Sequence, residues 1–186
     1  FAKIIAGGLP GGCVTGRKDI LDHLDFDVSR EKGREKVGHQ GTYNANPVCA
    51  ASGLAALQVI EDERACERAS EQAARLRREV NQLLARYDLP WACYGEHSAF
   101  YLFIDAAGGK VDPLNFDPYE WSIDEIKGCG QTTAAQKLRI ALMVEGVDIS
   151  GKPGGLTSVA HGDAEIDFTV GAFDRTLQAL RDEGEI

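Results

Sequence analysis

Apolar positions recur along the chain in several distinct patterns, and each predicts a different element. Between Glu63 and Tyr87, Ala69, Ala73, Leu76, Val80, Leu83 and Leu84 fall three or four residues apart among Arg and Glu, which predicts an amphipathic surface helix. Asp163 to Asp182 repeats that spacing, with Ile166, Val170, Phe173, Leu177 and Leu180 on one stripe. Thr133 to Glu145 reads as another helix, closed by Gly146 at the C′ position. Val48 to Ile60 differs in being nearly all small and apolar, so it predicts a helix buried on most sides. Asn46 suits its N-cap and Pro47 its first turn, where a missing N–H costs nothing. The run Ala99 to Ile104 predicts a strand. Val147-Asp148-Ile149 and Leu156 to Val159 predict short strands around Gly151-Lys152-Pro153-Gly154-Gly155. At the start, Ile4-Ile5 and Cys13-Val14 flank Gly7-Gly8-Leu9-Pro10-Gly11-Gly12, which predicts strand, glycine loop, strand. Arg17 to Leu24 reads as a short helix with Ile20, Leu21 and Leu24 on one face. Charge dominates Asp25 to Lys36, and Gly and Pro punctuate Ala106 to Asp117, so both predict solvated loops. The change of character at Glu61-Asp62-Glu63 marks the expected domain boundary.

Composition narrows the class. Over 186 residues the net charge is −9, with 44% hydrophobic and 26% charged positions, which suits one to one and a half globular domains and excludes disorder throughout. No apolar run approaches the roughly 20 residues that span a bilayer, so no membrane partner is expected. Basic residues scattered over an acidic chain make a poor counterion for nucleic acid, so none is expected there either. Cys13, Cys49, Cys66, Cys93 and Cys129 form no C-x-x-C pair, and their spacing predicts reduced thiols packed as small hydrophobes in a cytoplasmic protein. His23, His39, His97 and His161 are dispersed, and no metal site is assigned.

Two segments offer chemistry. Lys3 adjoins two isoleucines ahead of a glycine turn. Desolvation there would lower its ammonium pKa from roughly 10.4 toward neutrality and make it an amine nucleophile for a carbonyl. The alternative is an ordinary lysine pointing to water. In Gly41-Thr42-Tyr43-Asn44-Ala45-Asn46-Pro47, a hydroxyl and backbone N–H groups ahead of a helix N-terminus can hold an anion such as phosphate. A plain capped helix start accounts for Asn46-Pro47 and leaves Thr42 over. The glycine loop fits neither the P-loop nor the dinucleotide fingerprint, and no G-x-S-x-G or H-E-x-x-H motif occurs.

Taken together, these segments resemble the class-III aminotransferases. Within that family the similarity is to the glutamate-1-semialdehyde aminomutase branch. Lys3-Ile4-Ile5-Ala6-Gly7-Gly8-Leu9-Pro10-Gly11-Gly12 resembles its K-I-I-G-G-G-L-P-V-G segment, and Gly41-Thr42 to Asn46-Pro47 its G-T-x-x-G-N-P. Ser98-Ala99-Phe100 and Ser158-Val159-Ala160-His161 are similar to its small domain. The resemblance implies an α/β chain of the pyridoxal-phosphate (PLP) fold type I. Residues 1–61 would be the remainder of the large domain and 62–186 a small C-terminal α+β domain. It implies that Lys3 forms the internal aldimine with pyridoxal 5'-phosphate and shuttles the proton. Thr42, with Gly41, would reach the cofactor phosphate of a neighbouring subunit, in a homodimer with shared active sites acting on a small amino or keto substrate. The family's phosphate cup, stacking aromatic and pyridine-nitrogen Asp all precede the lysine, whereas this chain starts two residues before Lys3. A C-terminal piece of a longer enzyme, with the upstream half as partner, is therefore expected. Gly151 to Leu156 lacks the acidic residue usual in the mutase branch, which leaves a more general amino-group transferase open. A non-catalytic α/β assembly or binding module that keeps the fold is the rival from another class.

Overall fold

The computed structural model describes residues 1–105 and 111–186, and the chain divides into two compact units, Phe1–Arg64 and Ala65–Ile186. In the first, the expected opening strand is instead a 3-10 turn over Lys3–Ala6. Its end is set by Gly7, whose φ of 61° only glycine adopts freely and whose N–H donates to Ile4 O at 2.9 Å. The loop returns through an isolated bridge between Ala2 and Gly12, with Cys13 N–H donating to Phe1 O at 2.8 Å. A short helix α1 (Lys18–Leu21) follows and runs on as a 3-10 turn through Asp22–Leu24, where the apolar spacing puts a helix. The charged stretch expected to be a loop contains α2 (Phe26–Glu31). The Asp25 carboxylate caps it by accepting from the N–H groups of Asp27 and Val28 at 2.8 and 3.1 Å.

Helix α3 (Pro47–Asp62) starts as the sequence predicts, with Asn46 Oδ1 accepting from Val48 and Cys49 N–H at 3.0 and 3.1 Å. Its burial departs from expectation. Gly53 is its buried residue, while Val48 and Leu54 are 66% and 60% exposed. The hydrophobic pattern states that the helix needs cover, and the described part of this unit covers little of it.

The second unit is built on a three-stranded antiparallel sheet in the order β1 (Trp91–Tyr94), β2 (Ala99–Ile104), β3 (Gly154–Leu156). Helix α4 (Ala65–Arg86) precedes it. Helices α5 (Ile123–Gly128) and α6 (Thr133–Val144) lie between β2 and β3, and α7 (Asp163–Asp182) ends the unit. Strand alternation assigns the two faces. Trp91, Cys93, Phe100, Leu102 and Ile104 enter a core with residues of α4, α6 and α7, including Leu76, Val80, Leu138, Phe173 and Leu177. Ala92 and Phe103 face the other way, against Val111, Phe116, Trp121, Ile126 and Cys129. The six apolar positions anticipated on α4 are its buried residues, and α7 has the expected bounds. Gly146 ends α6 with φ 87°.

Strand β3 falls two residues earlier than anticipated, because Thr157 turns away to donate its hydroxyl to Ala69 O at 2.6 Å. The segment Val147–Ile149 is not a strand. Ile149 reaches the core from irregular backbone instead. Of the loop expected at Ala106–Asp117, residues 106–110 lie outside the described residues. All five cysteines are free. Cys93 and Cys129 are buried as small hydrophobes, but Cys13 and Cys66 are exposed, contrary to expectation. Among the described residues no helix is long and apolar enough to cross a membrane.

Candidate functional site

Lys3 opens the first turn with φ 63°, a left-handed conformation that costs a non-glycine residue on the order of 1–3 kcal/mol. Strain of that size persists only where the surroundings impose it, and here the imposing element is α3. Ser52 Oγ donates to Gly7 O at 3.1 Å. A Cβ on Gly53 would sit 2.7 Å from Ile5 O, and one on Gly7 would sit 2.4 Å from Ser52 Oγ. Two glycines thus let the turn and the helix touch backbone to backbone. Ala6 is buried in that contact. The outcome is a lysine displayed on a pinned turn. Lys3 itself is exposed, so the described residues do not supply the desolvation anticipated for it.

Gly41 and Thr42 precede α3 in a tight loop, where Asn44 N–H donates to Gly41 O at 3.1 Å and Asn46 N–H to Tyr43 O at 3.2 Å. The N–H groups of Val48 and Cys49 are already taken by Asn46, so an anion here would rely on the exposed Thr42. An open cleft of about 560 Å³ lies between the turn and α3, walled by Ile5, Gly12, Cys13, Asn46, Cys49 and Leu57 among others. Lys3, Gly41 and Thr42 are not among its walls, so the structure does not gather them into one pocket. Ser52 and Gly53, which position the lysine turn, were not singled out by the sequence reading. The available signal was a lone glycine inside an alanine-rich helix, which commonly marks a close backbone approach. At the far end of the chain, Ser158 and His161 meet in a single turn, with Ser158 N–H donating to His161 Nδ1 at 2.9 Å.

Two ends of one cofactor fit these residues. An exposed primary amine suits an aldehyde, and an exposed hydroxyl before a helix start suits a phosphate. A lysine on a glycine turn, a threonine ahead of a capped helix and a following small unit of sheet and helices define a fragment of the fold-type-I PLP-dependent transferases. Residues 1–92 match the family Aminotransferase class-III. It is 34% identical over 104 residues to the glutamate-1-semialdehyde 2,1-aminomutases of Sulfurisphaera tokodaii and Aeropyrum pernix, which covers 56% of this chain and 23% of each relative. The chain thus spans about a quarter of the length of these curated relatives. Among solved structures, a transaminase with PLP bound superposes with a TM-score of 0.73 at 27% identity, over 99% of this chain and 38% of that one. An omega-transaminase from Sphaerobacter thermophilus superposes with a TM-score of 0.69 at 28% identity, over 95% of this chain and 37% of its own.

Proposed function

We propose that this chain supplies the cofactor lysine and the small domain of a PLP-dependent amino-group transferase, with residues 1–61 belonging to the large domain and 62–186 forming the small one. The observation that carries this reading is the likeness to a transaminase with PLP bound over 99% of the chain. PLP, when bound, supplies the electron sink for the pair left on a substrate Cα. Lys3 Nζ holds the cofactor through its aldehyde carbon. As a free amine, the same Nζ would be placed to take up and return the Cα proton of a small amino substrate. The pinned turn keeps Nζ at one place for both tasks, which is worth more than its basicity alone. Gly41 and Thr42 hold the phosphate belonging to a neighbouring subunit. A cytoplasmic homodimer with shared sites, completed by the upstream half of the enzyme, follows from this reading. Similarity to aminomutases in sequence and to transaminases in structure supports amino-group transfer as the common chemistry.

Borohydride trapping tests the proposal. The protein is incubated with PLP, reduced and digested with trypsin. Selective pyridoxylation is expected to block cleavage after Lys3, and Lys3→Ala is expected to abolish the visible absorbance of the bound cofactor without unfolding the chain. Labelling spread evenly over the lysines, or absent even with the upstream half supplied, would favour the non-catalytic assembly module.

A further inference from the structure

The sheet face turned away from α4, α6 and α7 carries a second cleft. Tyr94 on β1 pairs in register with Tyr101 on β2, and their ring centroids lie 5.7 Å apart. Tyr94 is 5.5 Å from Phe116. The row continues through Phe103, 5.1 Å from Phe116, to Trp121, 4.5 Å from Phe103. The segment from Val111 to Cys129 seals the Phe103 end of this row and leaves the Tyr101 end open, with Tyr101 42% exposed. A cleft of about 580 Å³ results, within the range that small ligands fill. A smaller cavity of about 240 Å³ adjoins it through the shared walls Tyr94, Tyr101, Ile126 and Lys127, and adds Lys152 and Pro153.

The charges at this cleft set it apart from an incompletely closed core. Elsewhere in the unit Arg75, Arg86, Lys137, Arg139 and Arg175 are engaged with carboxylates. Lys127 and Lys152 line the cavities and make no ion pair among the described residues, in a chain whose net charge is −9. The acidic wall residue, Glu96, lies beyond ion-pair distance of both. Burial also holds the Tyr94 hydroxyl above its ordinary range, so it is a neutral donor at physiological pH. Rings offer their faces to another ring, and two unpaired ammonium groups offer charge to an anion.

We propose that this cleft binds a small molecule carrying one aromatic ring and one anionic group, the ring against Tyr94 and Tyr101 and the anion toward Lys127 and Lys152. This site is independent of the role assigned to Lys3. The 186-residue chain is titrated with 3-phenylpropionate, phenyl phosphate and the neutral 3-phenylpropanamide. Trp121 fluorescence in a Trp91→Phe background is one readout. Calorimetry on the unsubstituted chain is the second, and it decides the matter if that background does not fold. Saturable binding of at least one anion is expected, with the amide weaker, and the preferred anion identifies carboxylate or phosphate as the group recognised. Lys127→Gln and Lys152→Gln are each expected to weaken the anion about threefold while leaving the amide unchanged. Tyr101→Ala is expected to weaken all three probes. Equal binding of anion and amide, insensitivity to the lysine substitutions, or no saturable heat would overturn the proposal.

Discussion

Gly53→Ala puts the smallest possible probe into the contact that positions the lysine turn. The added Cβ would lie 2.7 Å from Ile5 O, whereas ordinary contact begins at 3.4 Å, so helix and turn must part by about 0.7 Å. That movement is opposed by the 3.1 Å bond from Ser52 Oγ to Gly7 O and by the buried Ala6 beside it. Overpacking of this kind costs about 1–3 kcal/mol. Alanine in a helix interior returns about 1 kcal/mol relative to glycine. The two terms nearly offset each other, so the net loss of stability is about 0–2 kcal/mol and a melting curve is a poor readout. The turn itself is the better one. Native-state hydrogen exchange at Gly7, whose N–H bonds to Ile4 O at 2.9 Å, and at Cys13, bonded to Phe1 O at 2.8 Å, is expected to accelerate while α4 and the sheet stay unchanged. Gly53→Val should enlarge the effect and lower the selectivity of pyridoxylation at Lys3. Unchanged exchange, together with stabilisation by the full alanine increment, would show that the contact is soft and that the turn is not held by α3.

Other elements give equally direct tests. Asn81 closes the free edge of β1, donating to Cys93 O at 2.9 Å and accepting from Cys93 N–H at 2.6 Å. Asn81→Leu leaves both groups of a buried residue unpaired and is expected to cost about 2–4 kcal/mol in urea unfolding, while a loss below about 0.5 kcal/mol would mean that water replaces the amide. The Asp174 carboxyl is held below its ordinary range first by the Tyr87 hydroxyl and then by Arg86. Its folded pKa is depressed, so its contribution is complete above the unfolded value of about 3.9 and is lost as pH falls through the folded pKa. Asp174→Asn should therefore flatten the acid limb of the stability profile, and an unaltered limb would remove this pair from the account. For the thiols, iodoacetamide followed by peptide mapping should label exposed Cys13 and Cys66 first. Cys93, whose thiol burial pushes up to about 12, should react only when the protein unfolds, and early labelling there would contradict its place in the core.

Which features were legible depends on whether a local rule decided them. Helices α4 and α7 repeat their apolar stripes over about four turns each, and such runs outvote any single residue, so their buried faces were readable in advance. The start of α3 was readable because Asn46 and Pro47 act within the chain's own first turn. The opening turn was not, because two isoleucines cannot distinguish strand from 3-10 turn when the decision lies with Gly7 and a helix 45 residues away. Strand β1 hid because its four residues, Trp91-Ala92-Cys93-Tyr94, are buried toward both faces and show no polar alternation. Helix α2 announces itself by its capping residue Asp25 in a stretch where charge alone suggested loop, and α5 by the Ser122–Glu125 box in a stretch to which no element was assigned. The candidate residues Lys3 and Thr42 were raised by local chemistry, a lysine beside a glycine turn and a hydroxyl ahead of a helix start, and their roles came from motif resemblance. Ser52 and Gly53, which hold the turn, needed three dimensions.

The mismatch at α3 has the same physical root. A hydrophobic pattern records burial in the assembled protein and is silent about which atoms provide it. In the second unit pattern and burial agree, since α4, α6 and α7 cover one another and one face of the sheet. In the first, the buried residues among 1–64 are Ala6, Ser29 and Gly53, none of them a large apolar side chain. Ordering each residue costs about 1–2 kcal/mol, and fully burying a leucine or valine returns about 1.5–3 kcal/mol. Val48, Leu54, Leu57 and Val59 of α3 return little of that while they remain exposed. Residues 1–64 are thus the third of the chain whose apolar pattern is least matched by burial among themselves, and the lysine turn is braced against the helix with the largest mismatch.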